Sequence, residues 1–175
     1  DSAGGNTWTK GGEYTNGQGG AAAGATVSVW YSVITNTIPS GGTITATLGS
    51  AVVAKAMTAW EFDIDAGNTI SVVAGTLQTL AVDGTQPGSM TISGLTSGEY
   101  LFVRGIGRES GGSSAFTPTA SYTALTQAES ATNGIGGIRA GGEFRIVTAT
   151  GETSNPGWDN RDMASVFFAL RTEAP

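Results

Sequence analysis

Residues 89–108 constrain the fold of this chain more than any other stretch. Met90 and Ile92 alternate with polar residues, turn-forming residues follow at 94–98, and residues 99–106 are then almost continuously apolar. An edge or solvent-facing strand would alternate apolar and polar side chains, so the second arm is predicted to be central in its sheet. The sequence therefore predicts a β-hairpin that pairs with further strands.

The rest of the chain repeats this pattern of short alternating stretches between turns. Gly contributes 28 of the 175 residues, while a 39% apolar fraction favours a packed protein over disorder. Further strands are predicted at residues 7–10, 26–34, 43–48, 52–62, 143–150 and 164–171, with a hairpin about Gly75 formed by residues 69–73 and 76–82.

These elements predict an all-β chain with about ten to twelve short strands and little or no helix. We expect a single two-sheet antiparallel sandwich of Greek-key or jelly-roll type over residues 1–175. Turn chemistry at residues 1–6 precedes the first strand, and a turn normally joins two strands. We therefore also expect a strand or segment before Asp1.

Missing residue types exclude several classes of site. The chain has neither cysteine nor histidine, which removes disulfides, thiolate nucleophiles, imidazole bases and His-ligated zinc. A net charge of −6 with eight Lys and Arg residues does not fit a nucleic-acid binder. No stretch has the apolar length of a membrane span. These observations favour a protein that is not an enzyme and binds neither nucleic acid nor membrane.

A calcium site is one interpretation of the turn that contains Asp63, Asp65 and Asn68. Alternating oxygen ligands on a turn can surround Ca²⁺. The twelfth position of a full calcium loop would be Ala74, which cannot act as a side-chain ligand. Asp and Asn are also common turn residues, so the preferred interpretation is a turn without a cofactor.

Aromatic residues offer a second candidate site, in which a flat ring stacks on a sugar. Trp158 lies in a predicted loop beside Asn155 and Asp159, and Trp30 lies on the mixed face of its strand. These four residues are the candidate glycan-binding set, although a loop tryptophan more often folds back as a lid on the sandwich. Trp60 is predicted to be core because it shares strand parity with Phe62.

Arg104 is predicted to be a structural residue. It lies among apolar residues of the central strand, so we expect it to be buried and paired with a glutamate on a neighbouring strand. Pairs formed among Glu61, Glu99 and Glu143 could instead indicate glycoside hydrolysis, which needs two acids across a cleft. The structural interpretation is preferred.

Two stretches of the sequence resemble known protein families. Residues 94–105, GLTSGEYLFVRG, resemble the Leu-x-x-Gly-x-Tyr run of fibronectin type III domains, which implies that Tyr100 ties a loop to its sheet. The runs DSAGGNTWTKGGEYTNGQGG, SGGTITATL, VAKAMTAWEF and GEFRIVTATG resemble β-rich virion proteins of tailed bacteriophages. This second resemblance implies a capsid decoration protein, head fibre or tail-associated module, usually oligomeric.

The resulting expectation is a non-enzymatic structural protein that forms or decorates a phage particle. Its expected partners are further copies of itself and other virion proteins, and its expected location is the virion or the extracellular space. The alternative is an adhesion module that binds a cell-surface glycan or receptor. We expect binding to lie in the loops at residues 16–24, 109–115 and 151–162.

Overall fold

A computed structural model describes residues 1–17, 24–49, 51–52, 54–65, 67–110, 115–130 and 137–173. The described residues form eleven strands and no helix, and so none that could cross a membrane. The strands are β1 (Thr9–Thr15), β2 (Thr26–Tyr31), β3 (Thr69–Val72), β4 (Gln78–Thr85), β5 (Met90–Ile92), β6 (Gly98–Ser110), β7 (Thr123–Ala124), β8 (Ala128–Glu129), β9 (Gly137–Ala149), β10 (Glu152–Ser154) and β11 (Arg161–Glu173). The predicted all-β, antiparallel, sandwich-like fold is confirmed.

The main sheet is built on three strands of 13 residues each, β11, β6 and β9. The strand order is β3-β11-β6-β9-β7, and all pairs are antiparallel. Leu101 of β6 lies opposite Leu170 of β11 on one side and Ile146 of β9 on the other. The prediction that residues 99–106 form a central strand is therefore confirmed. The predicted hairpin of residues 89–108 is wrong, because β5 pairs with β10 in a separate two-stranded sheet and not with β6.

Both outer edges of the main sheet are interrupted strands. β3 and β4 follow one another along the same edge of β11, and β7 and β8 do the same along β9. The predicted hairpin about Gly75 is wrong, because both of its arms run in the same direction beside β11. Where the ladder is interrupted, the Thr76 hydroxyl accepts from the Ala169 amide at 3.2 Å and donates to the Val73 carbonyl at 2.7 Å. This side chain replaces the missing strand–strand bonds.

One face of the main sheet, here called face A, carries Val103 and Gly105 and is covered by the β1–β2 hairpin. The hairpin packs close to the sheet because glycines lie along the contact. A Cβ added to Gly107 would lie 2.9 Å from the Thr26 carbonyl oxygen, and one added to Gly11 would lie 2.7 Å from the Phe168 ring. Larger residues at these positions would push the hairpin away from the sheet.

The opposite face, face B, carries Phe102 and Arg104 and is covered by the two-stranded β5–β10 sheet and two loops. Met90 and Ile92 of β5 pack there with Phe102 and other core residues. Tyr100 is buried in the same cluster, and its hydroxyl donates to the Thr96 carbonyl at 2.7 Å. The loop-to-sheet link that the fibronectin-like run implied for Tyr100 is therefore present.

Residues 32–68 connect β2 to β3, and their described part contains no strand. The predictions of strands at 43–48 and 52–62 are therefore wrong. Near the end of this connection, Phe62 packs edge-on against Phe144 of β9 with ring centroids 4.9 Å apart. The connection thus reaches the β9 side of face A, beside the hairpin.

Candidate functional site

The largest buried polar group of face B surrounds Arg104. Arg104 of β6 is 0% exposed, and Glu143 of β9 lies directly opposite it. One guanidinium nitrogen (Nη1) donates to the Gly88 carbonyl at 2.8 Å and to both the carbonyl and the hydroxyl of Ser154 at 3.2 Å. The other, Nη2, donates to the Ser165 hydroxyl at 3.2 Å. Residues of β9, β10, β11 and the loop before β5 therefore surround the charge of Arg104.

Glu143 completes this group, which we call the Arg104 cluster (Arg104, Glu143, Ser154, Ser165 and Thr119). The Ser154 hydroxyl donates to Glu143 Oε1 at 2.6 Å and so connects the carboxylate to Arg104. Thr119 donates to the same carboxylate through its amide at 2.6 Å and its hydroxyl at 2.7 Å. Arg104 is buried and linked to a glutamate on the next strand, as the sequence predicted, but the link runs through a serine.

Burial decides what the Arg104 cluster can do chemically. Burial lowers the pKa of the Arg104 guanidinium to about 10, while the nearby Glu143 carboxylate raises that pKa. Arg104 is therefore still a cation at neutral pH. Glu143 is fully buried and accepts three hydrogen bonds, so no substrate can reach it. A general acid or base must come within hydrogen-bond distance of its substrate. The cluster is structural.

A second buried group holds the loop that follows β10. Trp158 is 2% exposed and packs edge-on against Phe116, with ring centroids 5.1 Å apart. The Arg108 guanidinium lies 4.8 Å from the centroid of the Trp158 ring and forms an ion pair with Asp159. The backbone amide of Asn155 donates to the Thr119 hydroxyl at 2.6 Å. This loop is thus bound to face B.

These contacts correct the glycan-site prediction for Trp158. The Trp158 ring offers no free face for a sugar, because it lies under Arg108 and against Phe116. Asp159 is engaged by Arg108, while Asn155 is exposed and stays a prediction. The structure shows the other outcome that the sequence left open, a loop tryptophan folded back on the sandwich, and its partners lie about 40–50 residues away in the chain.

Trp30 is the one candidate aromatic of that set that the structure leaves available. It is 50% exposed on β2, and its ring nitrogen donates to the Ser28 hydroxyl at 2.7 Å. The ammonium of Lys10 lies 5.2 Å from the centroid of the ring and pairs with Glu13 at 3.2 Å. Because β2 covers face A and the Trp158 loop covers face B, the structure does not bring the two tryptophans together.

The proposed calcium ligands form a turn. The Asn68 amide donates to the Asp65 carbonyl at 3.1 Å, and the carboxylates of Asp63 and Asp65 are exposed. Within the described ranges, no group of three or more acidic, histidine or cysteine residues is placed to hold a metal ion. The hydrogen bond between Asn68 and Asp65 agrees with the predicted turn.

An unexpected surface feature is the connection at residues 44–64, which we call the unpaired segment. Its described residues make no hydrogen bond or ion pair with any other described residue. Leu48, Val52 and Met57 are each about half exposed, and Leu48 and Val52 line an open concavity of about 660 Å³. The sequence signal for this segment is the alternation of apolar residues with threonines at residues 43–48, which predicts a strand of the sandwich.

Trp60 belongs to the unpaired segment and not to the core. It is 40% exposed, and its ring lies against Phe144 with centroids 5.9 Å apart. The core prediction was wrong because it relied on strand parity, and the described residues of this stretch form no strand.

Arg104→Met should lower the free energy of unfolding by about 3–5 kcal/mol, because it leaves the Glu143 carboxylate buried without its cation. The double variant with Glu143→Gln should lose less than the sum of the two single changes, since the two groups are coupled. Urea unfolding followed by circular dichroism measures both effects.

Lys10→Met is the matched control, because the Lys10–Glu13 ion pair is exposed and should contribute less than about 1 kcal/mol. An Arg104→Met variant as stable as Lys10→Met would contradict the role assigned to the Arg104 cluster.

Comparison with known proteins found no relative of this chain. No family model matches the chain, and no curated protein or solved structure matches it.

Proposed function

We propose that this chain is a non-enzymatic structural protein of a phage particle, which forms or decorates the virion surface through protein–protein contacts. The unpaired segment carries the proposal. Backbone amides and carbonyls bond to another strand or to water, and clustered exposed apolar side chains mark interaction surfaces. Residues 44–64 combine both features on one stretch. The resemblance of residues 40–48 and 53–62 to virion proteins supplies the phage context.

The placement of perturbed ionisable groups supports a role without catalysis. Enzymes tend to place such groups in clefts that substrates can enter. Here burial lowers the pKa of Arg104 and of Arg108 and raises the pKa of Tyr122, and all three side chains lie in the core. The pKa of Asp83 is raised by a hydrogen bond with Asp162, and this group is fully exposed. Each core group contributes to holding the layers together.

The scaffold also suits a subunit that is held at a surface. β6, β9 and β11 are long, and β6 and β11 are covered on both faces. The Arg104 cluster adds side-chain bonds between the sheet and the loops of face B. We therefore expect the folded unit to keep its shape while residues 44–64 engage a partner.

Particles purified from cultures that express the gene should contain the wild-type chain in many copies, as counted by quantitative mass spectrometry. Met57→Asp should lower incorporation by about tenfold or more, because a charge would be buried at the contact. Ala74→Asp is the matched control: it adds the same charge at an exposed turn outside the unpaired segment and should incorporate normally. Absence of the wild-type chain from the particles would contradict the proposal.

The alternative function, an adhesion module, is favoured by one observation. Trp30 presents a half-exposed ring with Ser28, Lys10 and Glu13 beside it, which is the kind of aromatic and polar surface on which a sugar could stack. This site is distinct from the unpaired segment.

A glycan array tests this alternative directly. If the chain is an adhesion module, the wild-type protein should bind a defined set of glycans and Trp30→Ala should abolish that binding. Tyr14→Ala is the control, since Tyr14 is an exposed aromatic of the same hairpin that lies opposite the core residue Val27. If the wild-type protein binds no glycan, adhesion through a glycan at Trp30 is rejected.

A further inference from the structure

We propose that Asn16 is a site of spontaneous deamidation that the fold protects, so that its amide is converted to a carboxylate only after the β1–β2 hairpin has left the main sheet. Asn16 follows β1 directly and precedes Gly17. The reacting group is the Asn16 side chain, and the co-reactant is water. The site is separate from the unpaired segment, and the inference does not depend on the proposed function.

An asparagine followed by a glycine contains the reacting groups of this chemistry in one dipeptide. The backbone nitrogen of Gly17 loses its proton and attacks Cγ of Asn16, and the side-chain nitrogen leaves as ammonia. The product is a five-membered succinimide. Water then adds to one of the two ring carbonyls, which leaves either aspartate or isoaspartate at position 16. Glycine favours ring closure, because it has no Cβ in the way of the approach and leaves the backbone free to turn.

The folded chain holds the Asn16 side chain in place by its leaving group. Asn16 is 2% exposed, and its Nδ2 donates to the Val82 carbonyl at 2.6 Å and to the Met163 carbonyl at 3.2 Å. The backbone amide of Asn16 donates to the Ala25 carbonyl at 2.9 Å. We therefore expect ring closure only after the side chain has left both carbonyls.

The same bonds attach the end of the hairpin to the edge of the main sheet. Val82 of β4 and Met163 of β11 lie opposite one another, and the register of these two strands shifts between Met163 and Arg161. A shift of this kind disrupts the ladder locally and leaves a residue unpaired. The Asn16 amide supplies donors beside the shift, so it connects the hairpin to two strands of the sheet.

Deamidation would break this connection and prevent its return. A carboxylate has no hydrogen to donate, so residue 16 could only offer acceptors to the Val82 and Met163 carbonyls. Burying that charge without donors is costly, which keeps the converted residue in solvent. Isoaspartate also lengthens the backbone by one atom next to the Ala25 pairing. The reaction would thus make a transient detachment of the hairpin permanent.

Peptide mapping by mass spectrometry measures this reaction in the full-length chain at mildly alkaline pH, with and without denaturing urea. We expect Asn16 to convert at least about tenfold more slowly in the folded chain, because only the opened fraction can react. The peptides separate this site from Asn133-Gly134, the other Asn–Gly pair of the sequence, which lies outside the described residues. Equal rates at Asn16 in the two states would overturn the inference.

Two glycine variants separate the opening of the hairpin from the chemistry. Gly107→Ala should raise the rate at Asn16 by about fivefold or more, because its Cβ would lie 2.9 Å from the Thr26 carbonyl oxygen and push the hairpin away. Gly17→Ala is the matched control. A Cβ added there has no described atom within 4 Å, so the fold should be kept while the rate falls in both states. A folded Gly107→Ala protein that reacts at the wild-type rate would contradict the inference.

Asn16→Asp gives the product directly and does not depend on the reaction rate. Amide hydrogen exchange in β1 and β2 should be about tenfold faster than in the wild type, while β6, β9 and β11 exchange as before. Asn160→Asp makes the same change at an exposed residue before β11 and should leave β1 and β2 unaffected. If Asn16→Asp exchanges like the wild type in β1 and β2, Asn16 does not hold the hairpin and the inference is rejected.

Discussion

A positive charge buried in the middle of the central strand is the constraint on which the face B side of this protein depends. Arg104 has no contact with solvent, so only the protein can supply acceptors, and it does so for Nη1 and Nη2 but not for Nε. The acceptors come from Gly88 in the loop before β5, from Ser154 in β10 and from Ser165 in β11. One side chain thereby fixes how a loop, a small sheet and the main sheet meet, and the charged groups of the Arg104 cluster are closed to a substrate.

The features that the sequence predicted correctly are local ones. Residues 99–106 are apolar on both faces, and this pattern alone is enough to place β6 at the centre of a sheet. The burial of Arg104 followed from its apolar neighbours, and the role of Tyr100 followed from a short run of turn and strand residues. What was not predictable was the partner of each group. The link from Arg104 to Glu143 through Ser154 depends on strand register and on β10 closing over face B.

Trp158 and Trp60 show the same limit. The sequence predicts a loop at Trp158 and leaves open a binding surface or a lid on the sandwich; Arg108 and Phe116 from distant parts of the chain cover the ring and make it a lid. Trp60 was expected in the core and is exposed, because the described residues of its stretch form no strand. Alternation in residues 43–48 reports that a strand could have one covered face, but it does not say which molecule supplies the cover. In our interpretation, the wrong strand prediction and the proposed assembly surface have one cause.

The central claim is that residues 44–64 form the contact that holds the folded chain on its particle. Amide hydrogen exchange followed by mass spectrometry, on the free chain and on purified particles, measures whether a partner protects this segment. We predict that residues 44–64 exchange fast in the free chain and slowly in the particle, with β6, β9 and β11 slow in both. Exchange of residues 44–64 that is equally fast in the free chain and in the particle would contradict the claim.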